Sequence, residues 1–351
     1  MADRISARSA RARLHLPGFS RRSATILLQI ALLTISVLPT TFEAGDVEAK
    51  AKAALDKLPG HTGFLFTELT ASGPQVLYGI NQDERFAVGS SFKLFILGTL
   101  ADEVNGDRRG LDNVMRLRAD WKGPPHSEMA DWPVGSPVTL QTLSLKMITI
   151  SDNTATDHLI HLLGREQIEN QMTTMGNRNP EWNRPLLTTR EMTLLRDKNT
   201  GVPGHEYQEL DEAGRREFLA KRLREGTNYE DVDFDTAAYD AAEWYATPID
   251  MARALDWIKN HTEENEAANP LRGVLAVETK LPPDQPQWPY IGFKGGSEDQ
   301  LLCGNWLLKN KNGRWYTFHV YYNNPDSKTD QQQTLDTIHS LFEIVTEAVE
   351  Q

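Results

Sequence analysis

Ser90 and Lys93 stand three residues apart in Phe86-Ala87-Val88-Gly89-Ser90-Ser91-Phe92-Lys93, just before the apolar stretch Leu94 to Leu100. That setting puts a hydroxyl at the mouth of a buried helix, with an amine on the same face one turn further on. Apolar surroundings and nearby positive charge lower an amine's pKa, so Lys93 can take the Ser90 proton and leave a nucleophilic oxygen. The amides at the helix start favour the negative charge that develops on attack. Serine three residues before lysine is nevertheless common, and alone it specifies little.

Two further segments change its meaning. Ser151-Asp152-Asn153 follows a helical stretch ending in Met147-Ile148-Thr149-Ile150 and precedes another helix from Thr154. By itself it would be an ordinary helix cap. Phe293-Lys294-Gly295-Gly296-Ser297 lies at the end of an expected strand, where two glycines let the backbone-like edge of a substrate approach the sheet. By itself it would be an edge-strand turn. In this order the three correspond to Ser-x-x-Lys, Ser-Asp-Asn and Lys-Thr-Gly, the set found in class A β-lactamases and penicillin-binding proteins. The chain resembles the class A serine β-lactamases and their relatives from about residue 46 to 351. The 61-residue step from Ser90 to Ser151, and Thr154-Ala155 after it, are also similar to that family.

The resemblance implies a set of roles. Ser90 would be the acylated nucleophile and Lys93 its partner in proton transfer. Ser151 would relay a proton to the leaving group, Asn153 would hold both the substrate amide and Lys93, and Lys294 would supply positive charge for a substrate carboxylate. The backbone amides of Ser90 and Ser297 would form the oxyanion hole, with Gly295 and Gly296 lining the substrate's path. No metal and no cofactor is implied.

The pattern also departs from the family. Gly295 stands where threonine or serine is usual, and no arginine occurs between Lys294 and Arg314. Lys294 comes 143 positions after Ser151, a segment longer than in ordinary class A enzymes, and the loop with a deacylating glutamate is not recognisable. Glu181 and Glu191 are weak candidates for it, whereas Glu166 and Asn170 belong on a helix surface. Acylation has its residues; release of the acyl group lacks an identified base.

The elements that must position these groups read as α+β. Val47 to Leu58 reads as a helix, and Gly63 to Leu69 with Gln75 to Ile80 as strands joined by the turn Ala71 to Pro74. Ile291 to Lys294, Leu301 to Lys309 and Trp315 to Asn323 read as three more strands, with Lys311-Asn312-Gly313 as a hairpin turn. Thr329 to Val349 reads as a closing helix. Between these flanks the signals are helical: Ser91 to Val104, Leu140 to Ile150, Thr154 to Leu163, Arg165 to Met175 and Pro248 to Asn260. Thr247-Pro248-Ile249-Asp250 is a helix start, with cap, proline and acid each answering unpaired amides. These elements predict a five-stranded antiparallel sheet flanked by terminal helices, with an inserted all-helical domain, and the resemblance implies that this α+β fold is β-lactamase/DD-peptidase-like. The sheet part spans about 45–85 and 285–351, and the helical part about 86–284. Gly201 to Tyr245, rich in charge, reads as a surface excursion, either a solvated loop or a wall over the site.

Composition narrows the class. With 37 basic and 49 acidic residues the formal charge is −12, which leaves no basic stripe for nucleic acid. The first 22 residues carry six arginines, and an apolar run from Ala24 to Leu38 follows. This is the pattern of a removed leader, cleaved after Ala44, rather than of a permanent anchor. Ser20-Arg21-Arg22 leaves the twin-arginine route open beside the general one. Cleavage removes six arginines and two acids, so the mature chain would carry −16. It would be periplasmic or extracellular, monomeric and not inserted in the membrane. Cys303 is the only cysteine, which excludes an intramolecular disulfide; its expected place is a buried, small hydrophobic one. His158 and His161 are the one close histidine pair in a helix, and they are expected on its surface rather than on a metal. Trp121, Trp132 and Trp244 are candidates for lining a cleft.

Three functions fit these residues. The first is an exported serine hydrolase that opens β-lactam amides through a Ser90 acyl-enzyme. The second is a serine esterase or D-Ala-D-Ala type peptidase acting on a peptidoglycan-like substrate. The third is a non-catalytic binding protein that keeps the scaffold.

Overall fold

Two consecutive nine-residue segments, Leu301–Lys309 and Trp315–Asn323, are buried almost from end to end, so both faces of the sheet they belong to must be covered. The computed structural model describes residues 44–124, 127–200, 204–222, 233, 242–282 and 285–350. The expected leader lies outside the described residues except for Ala44. In chain order the strands are β1 (His61–Thr70), β2 (Gly73–Ile80), β3 (Phe86–Ala87), β4 (Val114–Arg116), β5 (Pro137–Thr139), β6 (Tyr245–Ala246), β7 (Tyr290–Glu298), β8 (Leu301–Lys309) and β9 (Trp315–Asn323). The helices are α1 (Ala44–Leu55), α2 (Lys93–Asn105), α3 (Leu140–Thr149), α4 (Asn153–Leu163), α5 (Arg165–Thr174), α6 (Thr189–Arg196), α7 (Gly204–Gln208), α8 (Glu212–Arg222), α9 (Pro248–Glu263), α10 (Asn269–Leu275) and α11 (Gln331–Glu350).

The main sheet has the order β2-β1-β9-β8-β7, with every neighbouring pair antiparallel. The terminal helices cover one face. Ala51, Ala54 and Leu55 of α1 and Ile338, Leu341, Phe342 and Val345 of α11 pack on Phe64, Phe66, Tyr316, Phe318 and Leu308. The opposite face meets the helical part, where Leu307, Trp315 and Tyr321 join the cluster built around Leu94, Phe95 and Leu97 of α2. The five-stranded antiparallel sheet with flanking terminal helices is thus the expected one.

Two segments differ from expectation in ways that bear on the site. The third motif does not end a strand: β7 continues through Gly295, Gly296 and Ser297 to Glu298, paired in register with Gly304, Cys303, Leu302 and Leu301. The facing glycines at 295 and 304 make room for the rings of Phe293 and Trp306, which a Cβ at either would meet within 2.6 Å, and the pairing with β8 carries the strand on. The helix expected from Ser91 begins as a single 3-10 turn over Gly89–Phe92 and becomes α-helical at Lys93. A smaller difference is that Gly73 and Pro74 open β2 rather than belonging to the turn.

Where it is described, the excursion is anchored in the core rather than loosely solvated. Phe218 and Leu219 of α8 and Tyr207 of α7 enter the main core cluster. The excursion starts after α6 and returns at β6, which pairs with β3 just before the Ser90 segment, Phe86 opposite Ala246 and Ala87 opposite Tyr245. Most of residues 201–241 outside α7 and α8 lies beyond the described residues.

Gly296 is where β7 and the Ser90 segment touch. A Cβ there would lie 2.1 Å from the Val88 carbonyl oxygen and 2.9 Å from the Ser90 nitrogen, both backbone atoms that cannot swing aside. Gly296→Ala is expected to destabilise the protein by about 2 kcal/mol through overpacking. Gly273→Ala in α10, where nothing lies within 4 Å, is expected to be neutral or to stabilise by up to about 1 kcal/mol. Chemical denaturation of the two variants beside the parent checks both, and equal stability of the Gly296 variant would contradict the contact.

Candidate active site

Gly89 adopts a left-handed conformation (φ +44°), which turns the chain from β3 into the 3-10 turn bearing Ser90. The turn is fastened by Ser91 N donating to Val88 O at 3.0 Å and Val88 N donating to Trp244 O at 2.9 Å. A Cβ built on Gly89 would lie 3.6 Å from both Gly296 Cα and Ser297 N. The amides of Ser90 and Ser297 are therefore neighbours at the junction of the turn and β7.

Lys93 is fully buried at the start of α2. Its amine donates to Ser151 O at 2.7 Å, Ser151 Oγ at 3.0 Å and Asn153 Oδ1 at 2.8 Å. Ser151 carries both of its oxygens there because it is itself left-handed (φ +59°), a conformation that costs a serine about 1 kcal/mol. Asp152 holds the strained residue in place. Its buried carboxylate accepts from Ser127 Oγ at 2.6 Å, Met129 N at 2.9 Å and Ala155 N at 2.8 Å, and its amide donates to Lys146 O. From the other wall Lys294 donates to the same Ser151 Oγ at 3.0 Å and to Gly295 O at 2.9 Å. One hydroxyl thus lies between two buried amines.

Electrostatics follow from that burial. Among the described residues no carboxylate hydrogen-bonds to either amine. Burial drives Lys93 well below the usual lysine range, the positive Lys294 pushes it further the same way, and Asp157 and Asp152 only partly oppose them. Burial likewise brings Lys294 down to about 7. A neutral Lys93 can accept a proton, and of its three contacts only the Ser151 hydroxyl can reverse and donate to it.

Behind Ser90 lies a polar network that the three motifs do not include. Asn305 Nδ2 donates to Ser91 Oγ at 2.9 Å and Lys294 O at 3.2 Å, so it joins the turn bearing Ser90 to β7. Its Oδ1 accepts from Tyr321 OH and from His319 Nδ1. Burial, which lowers His319 to about 3, keeps that ring neutral. Cys303 is buried as expected, yet it makes polar contacts, donating to Val88 O at 3.1 Å with Ser91 Oγ 3.2 Å away. The available signal was the alternation of polar residues at 303 and 305, and again at 319 and 321, on two otherwise apolar strands.

Other candidates are placed plainly. Glu191 is spent in a capping box with Thr188 and in an ion pair with Arg165 at 2.5 Å. Glu181 is exposed in a 3-10 turn, and Glu166 and Asn170 are exposed on α5. His158 is not on a helix surface. It is fully buried, its Nδ1 2.7 Å from Thr154 O and its Nε2 accepting from Arg118 N at 2.9 Å, because α4 turns that face toward the segment 118–123. His161 is exposed and stacks on Trp121. Trp121 borders a cavity of about 870 Å3 together with Arg165, Arg190, Glu191 and Arg216. Trp244 is buried against Phe92, ring centroids 3.9 Å apart. A Cβ at Gly295 would meet Cys303 O at 2.8 Å and Phe293 Cζ at 2.6 Å, so the hydroxyl residue usual there does not fit without a shift.

The profile of the β-lactamase enzyme family matches residues 46–348, nearly all of the described chain. The chain belongs to that family. It is similar to the β-lactamase CTX-M-8 of Citrobacter amalonaticus, 23% identical over 317 residues that cover 90% of this chain and 93% of the relative. A β-lactamase of Escherichia coli, Toho-1, is 27% identical over 181 residues, 49% of this chain and 58% of its own. Among solved structures, a β-lactamase from Sphaerobacter thermophilus shares the fold with a TM-score of 0.60 at 19% identity, covering 87% of this chain and 96% of that one. A mutant of PBP-A, solved as an acyl-enzyme complex with penicillin G, shares it with a TM-score of 0.60 at 17% identity, covering 87% and 97%. The protein is a serine β-lactamase-like hydrolase.

Because Lys294 is the positive neighbour that lowers Lys93, Lys294→Met is expected to raise the Lys93 pKa. The acid limb of Ser90 labelling by a fluorophosphonate should then move to higher pH. Labelling rates between pH 5 and 9 check this, and an unmoved limb would show that the two amines do not feel each other.

Proposed function

We propose that the protein opens β-lactam amides through an acyl-enzyme on Ser90. The observation that carries this reading is the Ser151 hydroxyl held at 3.0 Å from both Lys93 and Lys294. Neutral Lys93 takes the proton of Ser90 as its Oγ bonds to the carbonyl carbon. The C–N bond of the ring then breaks, and the proton passes from Lys93 through Ser151 to the departing nitrogen. The amides of Ser90 and Ser297 stabilise the oxyanion, with Ser297 exposed at the open end of β7. Asn153 holds Lys93 and the substrate amide, and Lys294 in its protonated form attracts the substrate carboxylate. Gly295 and Gly296 keep the edge of β7 low enough for a substrate to lie along it.

Release of the acyl group is the slow step in this reading. Glu191 is committed elsewhere, and the loss of an activated water costs about 10²–10⁴-fold in rate. The same feature supports the second reading, a D-Ala-D-Ala type peptidase or esterase whose natural acyl group departs more readily. In either case residues 1–44 act as the export leader and 45–351 work as a monomer in the periplasm or outside the cell. Among the described residues no helix is long and apolar enough to cross a membrane.

Intact-mass measurement with benzylpenicillin tests the proposal. Wild type should gain one whole penicillin mass within minutes and hold it, and Ser90→Ala should gain none. Rapid turnover without accumulation would refute slow release, and an adduct on the Ser90→Ala protein would refute the nucleophile.

A further inference from the structure

Outside the three motifs, the densest group of buried charge lies at the far end of β7. Arg196, the last residue of α6, is almost fully buried, and its Nη1 donates to Glu298 Oε2 at 2.5 Å and to Glu243 Oε2 at 3.3 Å. Glu298 directly follows Ser297 on β7, and Glu243 precedes Trp244, whose carbonyl holds Val88 N. Glu243 Oε1 is occupied by Trp244 N at 2.8 Å. Burial and the neighbouring Glu298 push the Glu243 carboxyl well above the usual range, and the Arg196 guanidinium opposes that.

The other end of α6 is tied just as firmly to the opposite wall of the site. Asp157 of α4 is buried and accepts from Thr189 N at 2.7 Å, Thr189 Oγ1 at 2.8 Å and Arg190 N at 2.9 Å. Thr188 Oγ1 takes the next free amide, that of Glu191. Asp157 lies one turn beyond Asn153 on α4, and Thr189 Oγ1 reaches Asn153 O at 3.4 Å. Eight helical residues span about 12 Å.

We propose that α6 is a strut that fixes the distance between the Asn153 wall and the Ser297 edge, with Arg196 as the positioning residue that transmits it to the oxyanion hole. The Lys93–Ser151–Lys294 bridge joins the same two walls from inside the cleft, and α6 joins them from the side of the excursion. Arg196 touches no substrate; its work is to keep Glu298, and with it the Ser297 amide, from drifting away from Ser90. This rests on the acylation reading of Ser90 for its kinetic consequence, though not for its geometry.

The test compares Arg196→Met and Glu298→Gln with Arg216→Met in the full chain. Arg216 ties α8 of the same excursion to Glu169 on α5, away from β7, and serves as the reference. Acylation by benzylpenicillin is resolved into a saturation constant and a limiting rate, and hydrogen exchange is followed in the β7 peptide containing Ser297. Arg196→Met should lower the limiting rate roughly ten- to a hundredfold, short of outright loss of an oxyanion donor. It should change the saturation constant much less and speed exchange in β7. Glu298→Gln, milder for folding, should move both readouts the same way by less, Arg196→Lys should recover part of the rate, and Arg216→Met should leave rate and β7 exchange unchanged. Wild-type rates and exchange in both Arg196→Met and Glu298→Gln would overturn the strut, as would an equal loss of rate in Arg216→Met. Faster β7 exchange in Arg196→Met with no adduct on wild type would keep the strut and refute the acylation reading instead.

Discussion

A lysine amine to which no carboxylate among the described residues is bonded, buried completely at the start of a helix, is the constraint around which this protein is arranged. Leaving such a group charged in a low-dielectric interior is expensive, and the economical state is the neutral amine. A neutral amine beside a serine is also a base. Burial that would be a defect elsewhere becomes chemistry here, provided every other polar atom around Lys93 is satisfied. Ser151 takes a left-handed conformation to present two oxygens at once, and Asp152 spends its carboxylate on Ser127, Met129 and Ala155 to hold that conformation. Lys294 approaches from the sheet and adds to burial a positive charge that lowers its neighbour's pKa further.

The second requirement is close contact between the turn bearing Ser90 and the sheet. Gly296 removes the side chain that would separate them, and Asn305 then bridges Ser91 Oγ and Lys294 O from behind. Facing strands contribute Tyr321 and His319 to the same network, so the registers of β7, β8 and β9 bear directly on the position of Ser90. A slip of one residue in any of them would reverse the inward set and dissolve the network. The helical part supplies the opposite wall, and α6 links the two outside the reacting atoms.

Much of this was legible in the sequence, for physical reasons. Buried strands such as Leu301–Lys309 and Trp315–Asn323 announce themselves by apolar length, and α9 by its threonine cap and proline. Ser90, Lys93, Ser151, Asn153 and Lys294 were singled out by three short motifs, because the proposed acyl transfer needs a few residue types at fixed local spacing. What was not legible depends on pairing between distant segments. The extension of β7 through its glycines is decided by β8, and the burial of His158 by residues 118–123, neither of which a local pattern reports. Asn305 and Arg196 looked like ordinary polar residues because their partners lie 214 and 102 positions away in the chain. Glu191 looked available as a base only until its cap and its arginine were in view.

The neutrality of Lys93 in the free protein is the central physical claim, and its amine can be titrated directly. Lysines labelled with 13C at Cε, with the Lys93 signal assigned through a Lys93→Arg variant, would be followed by NMR from pH 5 to 11. The expected result is one lysine signal, absent from the variant, that already has the chemical shift of a neutral amine at pH 7. A Lys93 signal that titrates with the surface lysines above pH 10 would contradict it, and would leave Ser90 without a base.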